Sequence, residues 1–385
     1  MLSIIFWLAL AVVFYAYAGY PLILAVRSKL RPRPLRPVGA PPRSVSVVLA
    51  AFNEEGTIDR RIREFCRHLG RAGLEGEVVI VSDGSTDGTA AAARACDADH
   101  VHVIDLPVNG GKAVALNAGV EAARGEVIVF ADSRQRWADD AVSKLIEPFA
   151  DPQVGAVSGE LLLESDPGVL AGVGLYWKYE KAVRKLESRT GSVCGVTGAI
   201  AAVRRELYRP LPAGAILDDV HWPLRVAMQG RRIVFEPAAR AYDRLPDRAR
   251  DEFRRKVRTL CGNFQLVRHL PPAVVPGLNP LWWRFASHKL ARLAVPWALL
   301  AMLITSALLP GAGYALALSA QLSLYIVAIA GFAWTPASRF RVASAASSFV
   351  VLNAAAFLAF WVWITGRSSS SWKKAVYKPA ALQRA

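Results

Sequence analysis

The chain has 385 residues, of which 53% are hydrophobic, and its formal net charge is +16. The apolar residues gather in roughly the first 25 and the last 100 positions, which is typical of transmembrane segments and excludes a soluble domain over the whole length. Basic residues concentrate beside these segments, in residues 27–36 and 250–258, without zinc-finger spacing or a helix-turn-helix pattern. We therefore expect membrane lipids, and not nucleic acid, to attract this charge.

Residues 1–26 are predicted to form an N-terminal transmembrane helix. The apolar run is too long for the core of a signal peptide, no basic residues precede it, and no small-residue cleavage site follows it. Residues 27–43 form a basic, proline-rich linker, which the positive-inside rule places in the cytoplasm. We expect an integral membrane protein with a cytoplasmic catalytic domain, and the alanine- and arginine-rich composition favours a bacterial inner (plasma) membrane.

Residues 44–245 have the composition of a globular domain, in which apolar β-branched runs alternate with segments of helical periodicity. This alternation predicts an α/β fold with a mostly parallel, Rossmann-like sheet. Polar residues follow successive strands, with Asn53 and Glu54 after the first, Asp83 after the second and Asp132 after the fourth. Because ligands bind at the carboxyl ends of such strands, we expect these side chains to face one cleft.

Residues 246–290 are predicted to form amphipathic interfacial helices. An apolar stripe runs from Phe253 to Val267, while Arg255 and Arg258 fall on the opposite side. Such a stripe with basic residues beside it is typical of a helix that lies on a membrane surface.

The C-terminal part comprises a transmembrane region, residues 291–366, with three apolar segments, and a basic tail, residues 367–385. Three crossings would place the basic tail outside the cell, against the positive-inside rule. The sequence therefore leaves two or three crossings open.

The chemistry-bearing residues of the α/β domain do not form a dinucleotide fingerprint or a P-loop. Instead, acidic residues stand at successive strand ends, and Lys112 follows a Gly-Gly pair. A divalent cation needs carboxylate oxygens and neutralises phosphates, so this set suits a metal-chelated diphosphate.

In order and spacing, several motifs resemble those of the membrane-bound family 2 glycosyltransferases, the class of the hyaluronan, cellulose, chitin and poly-N-acetylglucosamine synthases. The matching segments are AFNEE (51–55), SDGSTDGT (82–89), GGKAVALNAG (110–119), FADS (130–133), TGAI (197–200), LDDV (217–220), RRKVR (254–258) and SHKLARLAVP (287–296). The resemblance covers nearly the whole chain. It implies a GT-A-type domain flanked by transmembrane and interfacial helices, a UDP-sugar donor, and Mg²⁺ or Mn²⁺ as cofactor.

The resemblance also implies a role for individual residues. Asp219 resembles the catalytic base, and Asp132 resembles the first aspartate of the DxD metal motif. The residues assigned to substrate binding are Ala51, Asn53 and Glu54 of the first motif, Asp83 at the uracil and ribose end of the donor, Lys112 near the diphosphate, and Arg258 with Arg255 at the leaving group.

Two departures from the family pattern concern the metal and the acceptor. Asp132 is followed by Ser133 and Arg134, so the second carboxylate of the DxD motif is replaced by an arginine that could itself meet the phosphates. The segment that ends at Arg258 lacks the glutamine and tryptophan of the QxxRW motif. Because that tryptophan helps to hold the acceptor in processive synthases, a single transfer is as compatible with the sequence as polymerisation.

The expected activity is inverting transfer of a hexose or N-acetylhexosamine from a UDP-sugar to a glycan or lipid acceptor at the cytoplasmic membrane face, in exopolysaccharide or glycolipid synthesis. One alternative is transfer to a polyprenyl phosphate, an acceptor that is already an anion. The other is a non-catalytic, nucleotide-sugar-binding membrane subunit, which the altered DxD motif would suit.

Overall fold

The computed structural model describes residues 1–96, 100–164, 171–244, 249–333 and 340–367. Its α-helices, in chain order, are α1 Leu2–Phe14, α2 Tyr20–Leu30, α3 Glu55–Ala72, α4 Thr89–Arg94, α5 Lys112–Ala122, α6 Ala141–Ile146, α7 Ala171–Arg189, α8 Asp218–Met228, α9 Ala249–His269, α10 Trp282–Phe285, α11 Ala291–Leu308, α12 Ala312–Ala333 and α13 Arg341–Ile364. π-Helical turns at Tyr15–Gly19 and Ala286–Leu290 join α1 to α2 and α10 to α11.

Within the described residues, eight strands form one sheet in the order β3-β2-β1-β4-β7-β6-β8-β5. The strands are β1 Ser44–Ala51, β2 Glu75–Asp83, β3 Val101–Leu106, β4 Val127–Ala131, β5 Arg136–Trp137, β6 Val154–Glu164, β7 Ile200–Arg204 and β8 Arg232–Arg244. The pairs β1·β2, β1·β4, β2·β3 and β6·β8 are parallel, and β4·β7, β6·β7 and β5·β8 are antiparallel. The mostly parallel α/β sheet expected from the sequence is confirmed.

The apolar strands are buried because helices cover both faces of the sheet. In β1, Val48 and Ala50 belong to the core cluster that includes Leu116 of α5, while Val47 and Leu49 belong to the cluster that includes Ile58 of α3. The side chains of successive residues point to opposite faces, so a continuous apolar run supplies both cores.

The register of the sheet brings several loops to one edge. Strands β1 to β4 are parallel, so the segments that follow them emerge at the same edge. Strand β7 is antiparallel to β4 and pairs Ile200 with Ala131, which places the preceding Thr197-Gly198 loop beside the residue that follows β4, Asp132.

Four apolar helices are long enough to cross a membrane by length and composition: Leu2–Leu30, Trp282–Leu308, Ala312–Phe332 and Arg341–Ile364, among the described residues. The first extends four residues beyond the boundary expected at residue 26, so Arg27 and Lys29 lie in its last turn. The second begins at Trp282, within the segment expected to be interfacial. The basic tail lies outside the described residues apart from Arg367.

The apolar stripe of α9 packs on α13. Val257 and Cys261 share a core cluster with Ala355 of α13, and the Phe264 ring stacks on Trp363 at 5.2 Å. The stripe thus contacts a protein helix along much of its length, and the interfacial position of α9 stays a prediction.

Candidate active site

The loops that follow β1 and β2 are joined by hydrogen bonds. Asn53 has a left-handed backbone, with φ of 55°, and its amide oxygen accepts the Thr86 N–H at 2.8 Å. The Glu54 N–H donates to Thr89 Oγ1 at 2.7 Å. Ala51 lies fully buried at the end of β1, in the sheet core. The AFNEE and SDGSTDGT segments therefore form one wall, and their assignment to the donor stays a prediction.

The Asp83 carboxylate, at the end of β2, fastens the Gly-Gly loop. It is fully buried, and its two oxygens accept the N–H groups of Gly110 and Gly111 at 2.8 and 2.9 Å. These bonds fix the backbone just before Lys112, where α5 begins. A role of Asp83 in nucleotide binding stays a prediction. Each of its carboxylate oxygens accepts one of these N–H groups and keeps a second lone pair, which a hydroxyl or N–H group of the nucleotide would use.

The Lys112 ammonium lies between two carboxylates. Its Nζ donates to Asp132 Oδ1 at 2.9 Å and lies 3.5 Å from Asp218 Oδ2. Burial alone would lower the pKa of Lys112, but Asp132 and Asp218 overcome this effect and raise the pKa above its ordinary value. The lysine therefore stays charged and holds the carboxyl end of β4 close to the first residue of α8.

Asp219, the next residue of α8, closes the cluster. Its carbonyl oxygen accepts the Val196 N–H at 2.8 Å. A Cβ built on Gly198 would lie 3.5 Å from Asp219 Cβ and 3.6 Å from Lys112 Nζ, so this glycine separates the two side chains. Asp83, Asp132 and Asp219, distant in the sequence, are thus linked through Lys112 and its neighbours at one edge of the sheet.

Burial raises the pKa of Asp219 to about 6, and the neighbouring Asp218 carboxylate adds to the rise. The cations Lys289, Lys112 and Arg184 oppose it. A carboxyl group with a pKa near neutrality is suited to general-base catalysis, because it is ionised at neutral pH and is a stronger base than an exposed aspartate.

Three residues near Asp219 were not assigned a function from the sequence. Asp218 is the first residue of α8 and lies 3.5 Å from the Lys112 ammonium. Arg184 donates to Thr197 Oγ1 at 2.8 Å and to Ser158 Oγ at 2.7 Å, and thereby positions the Thr197-Gly198 loop. Lys289 belongs to the π-helical turn before α11, and π-turns recur at functional sites.

The sequence offered little signal for Lys289 and Arg184. Lys289 follows His288, whose ring contacts Cys194 at 3.7 Å, and precedes Leu290, which packs against the core cluster that contains Val196. Its place beside the segment 193–196 depends on a long-range contact that no local pattern encodes. The one sequence signal for Lys289 was its position inside the segment SHKLARLAVP, which resembles the family.

Arg134, at the altered position of the DxD motif, pairs with Asp243 of β8. Its guanidinium donates to both oxygens of Asp243, at 3.0 and 2.6 Å, and Gln135 donates to the same carboxylate. The arginine is therefore held against β8, and the direct phosphate contact considered from the sequence stays a prediction.

Helix α9 braces the loop that leads into α8. Gln265 accepts the Ile216 N–H at 2.9 Å and donates to the Gly214 carbonyl at 3.0 Å. A Cβ on Gly262 would come within 2.7 Å of Leu217, so helix and loop are in close contact. The brace sets the position at which Asp218 and Asp219 enter the site.

Arg258 and Arg255 lie one and two turns before this brace. Arg258 is partly buried and its Nε has no hydrogen-bond partner among the described residues. Arg255 is exposed and pairs with Glu252 at 2.8 Å. Neither arginine contacts the lysine cluster within the described part of the chain, so their assignment to the leaving group stays a prediction.

The acidic residues of the cluster fit a divalent cation that is shared with a diphosphate. Lys112 contacts one oxygen of each carboxylate, Asp132 Oδ1 and Asp218 Oδ2, which leaves the other oxygen of each for a cation. Mg²⁺ is commonly held by one or two carboxylates together with substrate phosphates. Elsewhere, Glu187, Cys194 and His288 converge closely enough to hold a metal ion, but Glu187 already accepts hydrogen bonds from Tyr20 and His288.

Comparisons with known proteins show what the α/β domain is similar to. Residues 46–211 match the sequence model of glycosyl transferase family 2. A poly-beta-1,6-N-acetyl-D-glucosamine synthase of Staphylococcus epidermidis is 25% identical over 238 residues, which make up 60% of this chain and 57% of that protein. The synthase of the same name from Staphylococcus aureus is 24% identical over 230 residues, or 58% of this chain and 55% of that protein. The match thus spans little more than half the length of these relatives.

Among solved structures, a mannosyltransferase from Pyrobaculum calidifontis in complex with GDP-Man and Mn²⁺ is similar over 95% of this chain and 100% of its own, with a TM-score of 0.70 and 25% identity. The similarity extends beyond the α/β domain, because it includes most of the apolar helices. Together with the family match, it confirms the GT-A fold. Residues 46–211 therefore form a glycosyltransferase family 2 domain.

Proposed function

We propose that the chain transfers a hexose or N-acetylhexosamine from a UDP-sugar to an acceptor hydroxyl, with inversion at the anomeric carbon. The observation that carries the proposal is the cluster around Lys112, which joins Asp132, Asp218 and, across Gly198, Asp219. One side of this cluster suits a diphosphate, and the other offers a base for an incoming alcohol.

Each member of the cluster has a proposed role. Asp219 takes the proton of the acceptor hydroxyl while the oxygen attacks the anomeric carbon and the bond to the diphosphate breaks; such general-base assistance contributes roughly 10²–10⁴-fold. Lys112 stabilises the negative charge that develops on the departing diphosphate. Asp132 and Asp218 would hold Mg²⁺ or Mn²⁺, which supplies further charge neutralisation when bound.

The membrane supplies the setting of this reaction. Four apolar helices flank the α/β domain, and basic residues follow the first of them directly. We infer that the helices cross a plasma membrane and that the domain faces the cytoplasm, where a glycan or lipid acceptor reaches the site.

A donor screen tests the proposal. Purified full-length protein in lipid, supplied with Mn²⁺ or Mg²⁺ and a panel of UDP-sugars, should release UDP with one preferred sugar, and mass analysis should find the sugar on a lipid or glycan. Donor hydrolysis without a glycosylated product, or no nucleotide release in any combination, would contradict the proposal.

GDP-mannose is a second candidate donor, because the mannosyltransferase that resembles this chain over 95% of its length was solved with GDP-Man. The same screen distinguishes the two nucleotides. A polyprenyl phosphate is the alternative acceptor: as an anion it needs less help from a base, so retention of transfer by Asp219→Asn would favour it.

A further inference from the structure

A cavity separate from the candidate active site lies where the first apolar helix meets the α/β domain. It has a volume of about 340 Å³, and its lining includes Arg27, Arg33, Arg231, Arg232 and Arg284. Among the described residues, no carboxylate lines it. None of the residues of the candidate active site lines it either, so its charge needs a separate explanation.

Two of the five arginines build the wall of the cavity. Arg284 donates to the carbonyl oxygens of Thr190 and Ser192, and Arg232 donates to that of Gly191. Burial lowers the pKa of Arg232, and the neighbouring cations lower it further, while Asp151 only partly offsets them. The wall is therefore rigid and carries excess positive charge.

Arg27 and Arg33 carry the unpaired charge. Both are exposed, and the side chain of neither forms a hydrogen bond or ion pair in the part of the chain that the structure describes. Arg27 lies in the last turn of α2, at the end of the first apolar helix. A phosphate could bind both guanidinium groups without breaking an existing contact.

An apolar groove adjoins the cationic cavity. It has a volume of about 540 Å³ and is lined by Leu22, Ile23, Val26 and Leu30, all exposed on α2. The basic residues Arg27 and Arg31 complete the lining, and Arg27 also lines the cationic cavity. A surface that joins an apolar groove to an unpaired cation complements a molecule with an acyl chain next to a phosphate.

We propose that this pair of cavities binds an anionic phospholipid of the surrounding membrane. Its phosphate lies between Arg27 and Arg33, within reach of the domain residue Arg231, and an acyl chain follows the apolar groove. The lipid thereby links the end of the first membrane helix to the α/β domain. A free phosphate would use the arginines alone and leave the groove without a role.

Lipid retention by the full-length protein tests the proposal. Protein from membranes that contain equal parts of phosphatidylglycerol and phosphatidylcholine is washed with detergent at high salt, which screens diffuse attraction, and retained lipid is measured by native mass spectrometry. The double variant Arg27→Gln/Arg33→Gln is compared with Lys29→Gln/Arg36→Gln, which removes the same charge from exposed positions of the same segment that line neither cavity.

We expect the wild type and the control to retain phosphatidylglycerol, and the Arg27/Arg33 variant to bind it at least about fivefold more weakly. Soluble glycerol phosphate should not displace the lipid. The proposal would be overturned if both double variants retained phosphatidylglycerol equally, or if the wild type retained phosphatidylcholine equally well. Displacement of the lipid by soluble glycerol phosphate would overturn it too.

Discussion

Lys112 directly contacts two acidic residues of the candidate site, Asp132 and Asp218. Its removal would leave Asp132 and Asp218 facing each other without a cation and would remove a positive charge from the departing diphosphate. We expect Lys112→Met to lower nucleotide release by about 10²–10³-fold, the effect of losing one preorganised electrostatic group. Lys144→Met, at a half-exposed lysine that pairs with Glu147 on another face, should retain activity. A Lys112 variant within threefold of the wild type would contradict this role.

Asp219 sets the expected pH dependence. Its pKa of about 6 means that the base is protonated in acid and ionised above neutrality. The value of kcat/KM should therefore rise with pH through about 6 and level off above pH 7. The profile is measured by nucleotide release between pH 5 and pH 8 with the best donor. A profile that is flat across this interval would argue against Asp219 as the base.

At the scale of residues, the ends of parallel strands predicted that Asp83 and Asp132 lie at one edge of the sheet, and the family resemblance added Lys112 and Asp219 to the same cleft. It could not predict that both oxygens of Asp83 bind the Gly110-Gly111 backbone. Motif letters carry no information on which partners a carboxylate selects once the loop has folded.

At the scale of elements, α9 determines where α8 begins, through the two hydrogen bonds of Gln265 with Gly214 and Ile216. We expect Gln265→Ala to lower the free energy of unfolding by about 1–3 kcal/mol and to reduce turnover, because Asp218 and Asp219 follow this loop directly. Thermal unfolding and nucleotide release measure the two effects. Gln153→Ala, an alanine substitution at a loop residue remote from α9, is the control; equal turnover in both variants would exclude the brace.

The helical periodicity of α9 was evident from the sequence, but its partner was not. An apolar stripe fits lipid and another apolar helix equally well, since both bury the same side chains. Phe264 stacks on Trp363 about 100 residues further along the chain, and no local pattern specifies such a pairing.

At the scale of the whole molecule, buried charges connect the catalytic domain to the apolar helices. Glu180 of α7 contacts His288 at 2.9 Å and also pairs with Arg292 of α11. Burial would raise the pKa of Glu180, but Arg292 and His288 hold it well below its ordinary value. The domain and the second apolar helix should therefore unfold as one unit.

Removal of Arg292 tests this coupling. We expect Arg292→Ala to destabilise the protein by about 3–5 kcal/mol, because it leaves Glu180 buried with one cation fewer. The measurement is thermal unfolding in detergent beside Arg254→Ala, which alters an exposed arginine of α9. Equal melting temperatures of the two variants would show that the charge pair contributes no net stability.

The sequence predicted separate membrane and α/β segments from their composition, with a basic linker between the first helix and the domain. It could not predict the docking between them. Glu180, His288 and Arg292 are far apart in the chain and meet only in the folded molecule.

Asp132 and Asp219 are proposed to act in one site but at different steps, Asp132 in metal binding and Asp219 in proton transfer. Metal-dependent UDP affinity and sugar transfer should be measured together for Asp132→Asn and Asp219→Asn. We expect Asp132→Asn to weaken UDP binding in the presence of Mn²⁺, and Asp219→Asn to bind UDP like the wild type while transfer to a hydroxyl acceptor falls by about 10²-fold or more. Unaltered metal-dependent binding by Asp132→Asn, together with unaltered transfer by Asp219→Asn, would contradict the proposed site.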